Sequence, residues 1–269
     1  MKSVRLLVLL ALVSCHPPAA LRPPDSVVSI VPLENLTLAR PVVDIGVDNE
    51  RLLLLEDSGT RILAISQLLV PVETIPLTTR LISPLGVAAD RFYFYVFDRN
   101  TLYRISKEKR VLSVWLNNIR VAGLASYAPG EMLVSDGMRS VVWHKTLFGE
   151  SRVFLDGRDV TRPGALVNLP DGMFGIVSAG NRLVCVNRAG ITVRSLSLPA
   201  GTDLIVADGA GGIWTGQRGK PFVYRIGQRG QTAYELVDCT SPISFAIIGQ
   251  RLFVLDSGTK IVSYSLPGH

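Results

Sequence analysis

The chain has 269 residues and a formal charge of +6, with three cysteines and three histidines. So small a surplus of positive charge over this length gives no ground for a nucleic-acid partner, and none is expected. The cysteines are too few for a disulfide framework, and no Cys or His spacing matches a zinc site.

The chain opens MKSVRLLVLLALVSC. Lys2 and Arg5 make a positive region, and Leu6 to Val13 make an uninterrupted apolar run of eight residues. A membrane-crossing helix needs roughly 20 apolar residues, whereas the apolar stretch of a secretory signal takes about 7–15. Leu12, Val13, Ser14 and Cys15 then resemble the lipobox of bacterial lipoproteins. That resemblance implies cleavage after Ser14 and a diacylglycerol on the Cys15 thiol, so residues 1–14 read as a lipoprotein signal peptide. Loss of that leader would remove Lys2 and Arg5 and lower the charge to +4. Residues 15–25 read as a tether, since HPPAALRPPD carries four prolines and Pro-rich chain stays extended at about 3.1 Å per residue. His16 stands where, by the same resemblance, an Asp would favour retention in an inner membrane. The expected location is therefore the bacterial cell envelope, lipid-anchored, and the outer membrane in a cell with two.

Residues 26–269 read as one domain. It begins with "VVSIVPL", residues 27 to 33, an apolar strand that precedes a repeat. A hydrophobic run ending in Asp and a turn recurs as "LLLLEDSGTRIL" at 52, "FYVFDRNTLYRI" at 94, "EMLVSDGMRSVV" at 131 and "LFVLDSGTKIVS" at 252. Two copies lack the Asp, "FGIVSAGNRLVC" at 174 and "GIWTGQRGKPFVYRI" at 212. With Asp57, Asp98, Asp136, Ser178, Gly216 and Asp256 taken as equivalent, the spacings are 41, 38, 42, 38 and 40 residues. A period near 40 is that of four-stranded propeller blades. Each copy has a leading strand, a strand before the turn, a strand after it and a weaker outer strand such as "VETIPL" at 72. Within the turns, Asp side chains can accept backbone N–H bonds two or three residues on, so these aspartates read as turn-builders. "RFYFYVF", residues 91 to 97, alternates Phe92, Phe94 and Val96 with Tyr93, Tyr95 and Phe97, and reads as packing between blades. Cys185 and Cys239 sit in apolar runs and read as buried free thiols.

Pro84-Leu85-Gly86-Val87-Ala88 and Val254-Leu255-Asp256-Ser257-Gly258, the latter followed by Ile261 and Val262, resemble the two halves of the NHL repeat. The resemblance covers about 230 residues. It implies an all-β fold, a six-bladed β-propeller of four-stranded antiparallel blades. The last copy ends after three strands, so the N-terminal strand 27–33 is expected to join the last blade and close the ring.

The chemistry expected of this chain is sparse. No nucleophile elbow, phosphate-binding loop or dinucleotide fingerprint is present. His144 is the one histidine away from the tether and the C-terminus, and alternation places it opposite Trp143 on a strand. Six-bladed propellers include calcium-dependent lactonases and quinone-dependent sugar dehydrogenases, a resemblance that implies acidic or His-containing channel sites. Here only Asp44, Asp203 and Asp208 fall near the leading strands, too few for a calcium shell, and no cofactor is expected. One constellation remains: Arg40, Arg120 and Arg162 precede the leading strands at equivalent places, and in a six-fold ring they would converge on one mouth of the channel. Guanidinium groups take carboxylates and phosphates through paired hydrogen bonds, so an anionic ligand or an envelope protein is the expected partner, beside the membrane held through lipid on Cys15. The function expected is an envelope-anchored binding propeller. The alternative is a channel-site envelope enzyme, a lactonase-like hydrolase or a sugar dehydrogenase.

Overall fold

A computed structural model describes residues 27–227 and 230–267. The leader, Cys15, the tether and both terminal histidines lie outside the described residues.

Two strands precede the first blade, β1 (Val27–Ile30) and β2 (Pro32–Thr37). Blade one is β3 (Val42–Asp48), β4 (Arg51–Glu56), β5 (Arg61–Ser66) and β6 (Pro71–Pro76). Blade two is β7 (Gly86–Ala89), β8 (Tyr93–Phe97), β9 (Thr101–Ser106) and β10 (Leu112–Asn117). Blade three is β11 (Val121–Ala128), β12 (Glu131–Asp136), β13 (Val141–Lys145) and β14 (Ser151–Leu155). Blade four is β15 (Pro163–Asn168), β16 (Phe174–Ser178), β17 (Arg182–Val186) and β18 (Thr192–Ser197). Blade five is β19 (Leu204–Ala207), β20 (Ile213–Gly216), β21 (Phe222–Gly227) and β22 (Gly230–Leu236). The last blade contributes β23 (Pro242–Ile248), β24 (Arg251–Asp256) and β25 (Lys260–Ser265). The chain is thus all-β, six antiparallel blades in a ring, with no helix among the described residues.

The blade interiors explain the near-continuous apolar runs of the sequence. Successive side chains of a strand point to opposite faces, and a blade is covered on both. In β4, Leu52 and Leu54 pack with Phe253 and Leu255 of the last blade, while Leu53 and Leu55 pack with Phe94 and Val96 of blade two. All four leucines are completely buried, and such burial stabilises by about 1.5–3 kcal/mol per side chain. The described core is therefore a ring of six clusters, one between each pair of blades. The 91–97 segment obeys the same rule: Phe94 and Val96 face blade one, and Tyr95, beside Trp115 of its own blade, faces Val134 of blade three.

The N-terminal strand departs from its expected boundaries. It is not one strand over 27–33 but two. β1 runs parallel to β22 as a fifth strand of blade five, pairing Val27 with Ala233 and Ile30 with Leu236. β2 is the antiparallel fourth strand of the last blade, pairing Asn35 with Val262 and Thr37 with Lys260. The break falls at exposed Val31 and at Pro32, which has no N–H to donate and so begins a new strand.

Inner strands come close enough to restrict side-chain size. A Cβ on Gly123 would lie 2.7 Å from the Leu166 nitrogen, and one on Gly46 would lie 2.6 Å from the Val87 carbonyl oxygen. These strands, β3, β7, β11, β15, β19 and β23, surround the central channel.

Candidate functional site

The channel holds a cavity of about 580 Å³ lined by all six inner strands. That lies within the 300–1,000 Å³ typical of small-molecule sites. Its charged groups, Asp44, Arg120, Asp203 and Arg218, lie at or before the starts of inner strands or in the neighbouring turn of blade five. Further along the same strands the lining is mostly apolar, with Val47, Leu124, Val206 and Ile247 beside a single Asn168. The cavity is polar at one mouth and greasy inside.

Asp44 is the third residue of β3. Its Oδ1 accepts the Ser244 hydroxyl at 2.6 Å and its Oδ2 accepts the Val87 N–H at 2.9 Å. Burial pushes its carboxyl pKa up, against the lowering effects of the Ser244 and Val87 hydrogen bonds and the Arg218 charge. Gly86 makes the approach possible, since a Cβ there would lie 3.1 Å from Asp44 Oδ2 and collide with the Phe97 ring. Asp203 precedes β19 and accepts the Arg218 N–H at 2.9 Å, with the Arg218 guanidinium 3.9 Å away. Burial also pushes the Asp203 carboxyl up, opposed by that hydrogen bond and charge.

Arg120 lines the cavity immediately before β11, and among the described residues it has no hydrogen-bond or ion-pair partner. Of the three arginines expected at the mouth, it is the one among the lining residues. Arg40 and Arg162 are exposed positions outside that lining. Arg162 sits in a left-handed turn (φ 43°) with its N–H donated to Ser140 Oγ at 3.1 Å. The second arginine of the cavity is Arg218, which sequence reasoning passed over. Its signal was "GQRGKP" in blade five, where the usual Asp-Ser-Gly turn is replaced. The same turn supplies Gln217 and Lys220 to a smaller neighbouring pocket of about 220 Å³ beside Tyr224.

The remaining candidates have structural work. Asp98 accepts the N–H groups of Asn100 and Thr101, both at 3.0 Å, and Asp136 those of Met138 and Arg139, both at 3.2 Å. Asp256 reaches back to the N–H groups of Thr240 and Ser241. In blade one the register pairs Val42 with Glu56, as it pairs Val121 with Asp136, so buried Glu56 and not exposed Asp57 holds the equivalent place. Asp208 is taken up by the N–H groups of Ala210 and Gly212 and by Trp214 Nε1. His144 bonds Glu131 at 2.9 Å and lies tilted against the Tyr127 ring, away from the channel lining. Cys185 and Cys239 are free and buried. Among the described residues no three Asp, Glu, His or Cys side chains cluster as metal ligands.

No protein-family model matches the chain, and no curated protein matches its sequence. Among solved structures, the fold is similar to virginiamycin B lyase from Staphylococcus aureus, at 12% identity and a TM-score of 0.66, covering 87% of this chain and 99% of that one. It is similar to a calcium-binding protein, regucalcin, from Agrobacterium tumefaciens, at 14% identity and a TM-score of 0.62, covering 90% and 98%. The WD40 β-propeller domain of Doa1 is similar at 11% identity and a TM-score of 0.65, covering 88% and 97%. At these identities the likeness is one of fold.

Proposed function

We propose that the chain is a binding module of the bacterial envelope, held by lipid on Cys15 and working through the charged mouth of its channel. The observation that carries the reading is Arg120, a guanidinium in the cavity lining with no partner among the described residues. An unpaired guanidinium at a cavity mouth can receive an anion, because its planar fork of N–H donors matches a carboxylate or phosphate. The rigid ring supports this role, since loops carry specificity when a scaffold holds them. The lipid anchor is supported by sequence order alone: positive residues, eight apolar residues, Cys15, then the Pro-rich tether. Acyl chains contribute about 0.8 kcal/mol per buried CH₂, so several of them hold a protein on a bilayer durably.

The test is retention from native membranes in mild detergent, with mass spectrometry of protein and small-molecule companions. A companion retained by the natural chain and lost from Arg120→Gln with Arg218→Gln supports the reading. Identical retention by both would overturn it. Labelling with radioactive palmitate, abolished by Cys15→Ser, tests the anchor separately.

A channel enzyme has one observation in its favour, the raised carboxyl of Asp44 inside a cavity, since perturbed carboxyls mark active sites. Virginiamycin B lyase shows that a propeller of this kind can carry catalysis. The binding reading is better supported, because both Asp44 oxygens are already engaged and none of the residues lining the cavity is a histidine.

A further inference from the structure

The inference rests on the binding reading and names what the channel takes. We infer that the ligand is a small amphipathic monocarboxylate, its carboxylate at Arg120 and Arg218 and its apolar body inside the channel. The charges at the mouth do not cancel functionally. Asp44 is engaged by Ser244 and Val87, and Asp203 is engaged by the Arg218 backbone N–H. Among the described residues that leaves the Arg120 guanidinium without a counter-ion and the Arg218 guanidinium with one contact at 3.9 Å. Bringing a third carboxylate to the mouth therefore pairs a charge and displaces no existing ion pair of Arg120.

The interior selects the rest of the molecule. Val47, Leu124, Val206 and Ile247 line the cavity beyond the charged mouth and none is fully buried by protein. Asn168, the polar side chain among the inner lining, already donates to the Ser126 carbonyl at 2.8 Å. A hydrophilic dianion such as inorganic phosphate would gain nothing from these walls, whereas an aliphatic or aromatic body would bury apolar surface at about 25 cal/mol per Å². A cation gains less, because it would meet the Arg120 and Arg218 guanidinium groups at the mouth while Asp44 already accepts from Ser244 and Val87.

The experiment is equilibrium dialysis of the full chain in mild detergent against 4-phenylbutyrate, with 4-phenylbutanol and 4-phenylbutylamine as isosteric probes. Phenylbutyrate is expected to bind at least about tenfold more tightly than the alcohol, the factor that one charge-assisted contact supplies. The amine is expected to bind more weakly than either. Arg120→Gln, at an exposed residue without a partner, leaves the fold intact and should bring the acid down to the alcohol's affinity, while Arg40→Gln changes nothing. Phenylbutyrate binding no tighter than the alcohol, or equally to the natural chain and Arg120→Gln, overturns the inference. If that happens while a native companion is still lost from the double arginine variant, the ligand class is wrong and the binding reading stands. If both fail, the reading falls with it.

Discussion

Asp44 of the first blade and Ser244 of the last are joined by a 2.6 Å hydrogen bond across 200 residues of sequence. The other Asp44 oxygen takes the Val87 N–H of blade two, so one carboxylate ties three blades at the rim of the channel. Asp44→Ala would leave the Ser244 hydroxyl and the Val87 N–H without this acceptor, at a cost of about 1–3 kcal/mol. A urea midpoint unchanged from the natural chain would show that the tie contributes nothing.

The same residue gives the stability a pH dependence with a definite sign. Burial raises the Asp44 carboxyl in the folded chain, so the folded state holds that proton more tightly than the unfolded state. Its contribution is full below the unfolded carboxyl value, about 3.9, and is lost as pH rises through the folded value. The stability of the natural chain relative to Asp44→Asn should therefore decline as pH climbs from about 4 towards neutrality. A difference that grows with pH would mean the carboxyl is held low, not high.

A buried ion pair should matter more than any surface pair. Asp48, with 3% of its side chain exposed, faces Lys107 of blade two at 2.5 Å and Arg51 at 2.7 Å. Lys107 also lies 4.9 Å over the Phe94 ring. Removing Lys107 leaves the buried Asp48 carboxylate with Arg51 alone, and Lys107→Met is expected to cost about 1–3 kcal/mol. By contrast Arg152→Met, whose pair with Glu150 is exposed on both sides, should change stability by less than about 1 kcal/mol. Equal effects of the two substitutions in guanidinium unfolding would refute the distinction.

The thiols report on both core and anchor. Burial raises the Cys185 thiol, and burial with the Asp256 charge and hydrogen bond pushes Cys239 up to about 12. Neither should react with Ellman's reagent at pH 8 in the folded chain, because the thiolate is the reactive form. In guanidinium, a chain acylated at Cys15 should titrate two thiols and an unacylated one three. Three thiols in protein taken from native membranes would remove the anchor.

Much of this architecture was legible because a propeller blade writes its burial directly into the chain. Apolar runs such as Leu52–Leu55 recur about every 40 residues, and turn aspartates such as Asp98 and Asp136 mark where some of these runs end. The site was less legible because a channel gathers residues from separate blades at distances that a repeat alignment does not measure. Symmetry assigned Arg40, Arg120 and Arg162 to one circle, yet the left-handed turn at Arg162 is a local matter that no period encodes. Arg218 entered the cavity through a turn in which the repeat fails. In such a fold the copy that breaks the pattern is where a site is best sought, since a turn that need not close in the standard way can carry another side chain.

The N-terminal strands make unequal contributions, and truncation should separate them. β1 is exposed over its first three residues, and only Ile30 packs partly against the Trp214 and Tyr234 cluster. β2 instead pairs with β25, whose Ile261, Val262 and Ser263 are completely buried, and Leu36 and Leu38 pack on the cluster between the last blade and the first. A chain beginning at residue 32 loses β1 and one peripheral contact, and its melting temperature should fall by only a few degrees, about what 1 kcal/mol produces in a domain of this size. A chain beginning at residue 40 would also lose β2, exposing the β25 ladder as an open edge and uncovering the junction where the ring meets itself. An edge of that kind invites pairing between molecules, so this second chain should be recovered aggregated or as a larger assembly by size-exclusion chromatography. If it remained monomeric and melted with the first, β2 would be an ornament on a ring that closes without it.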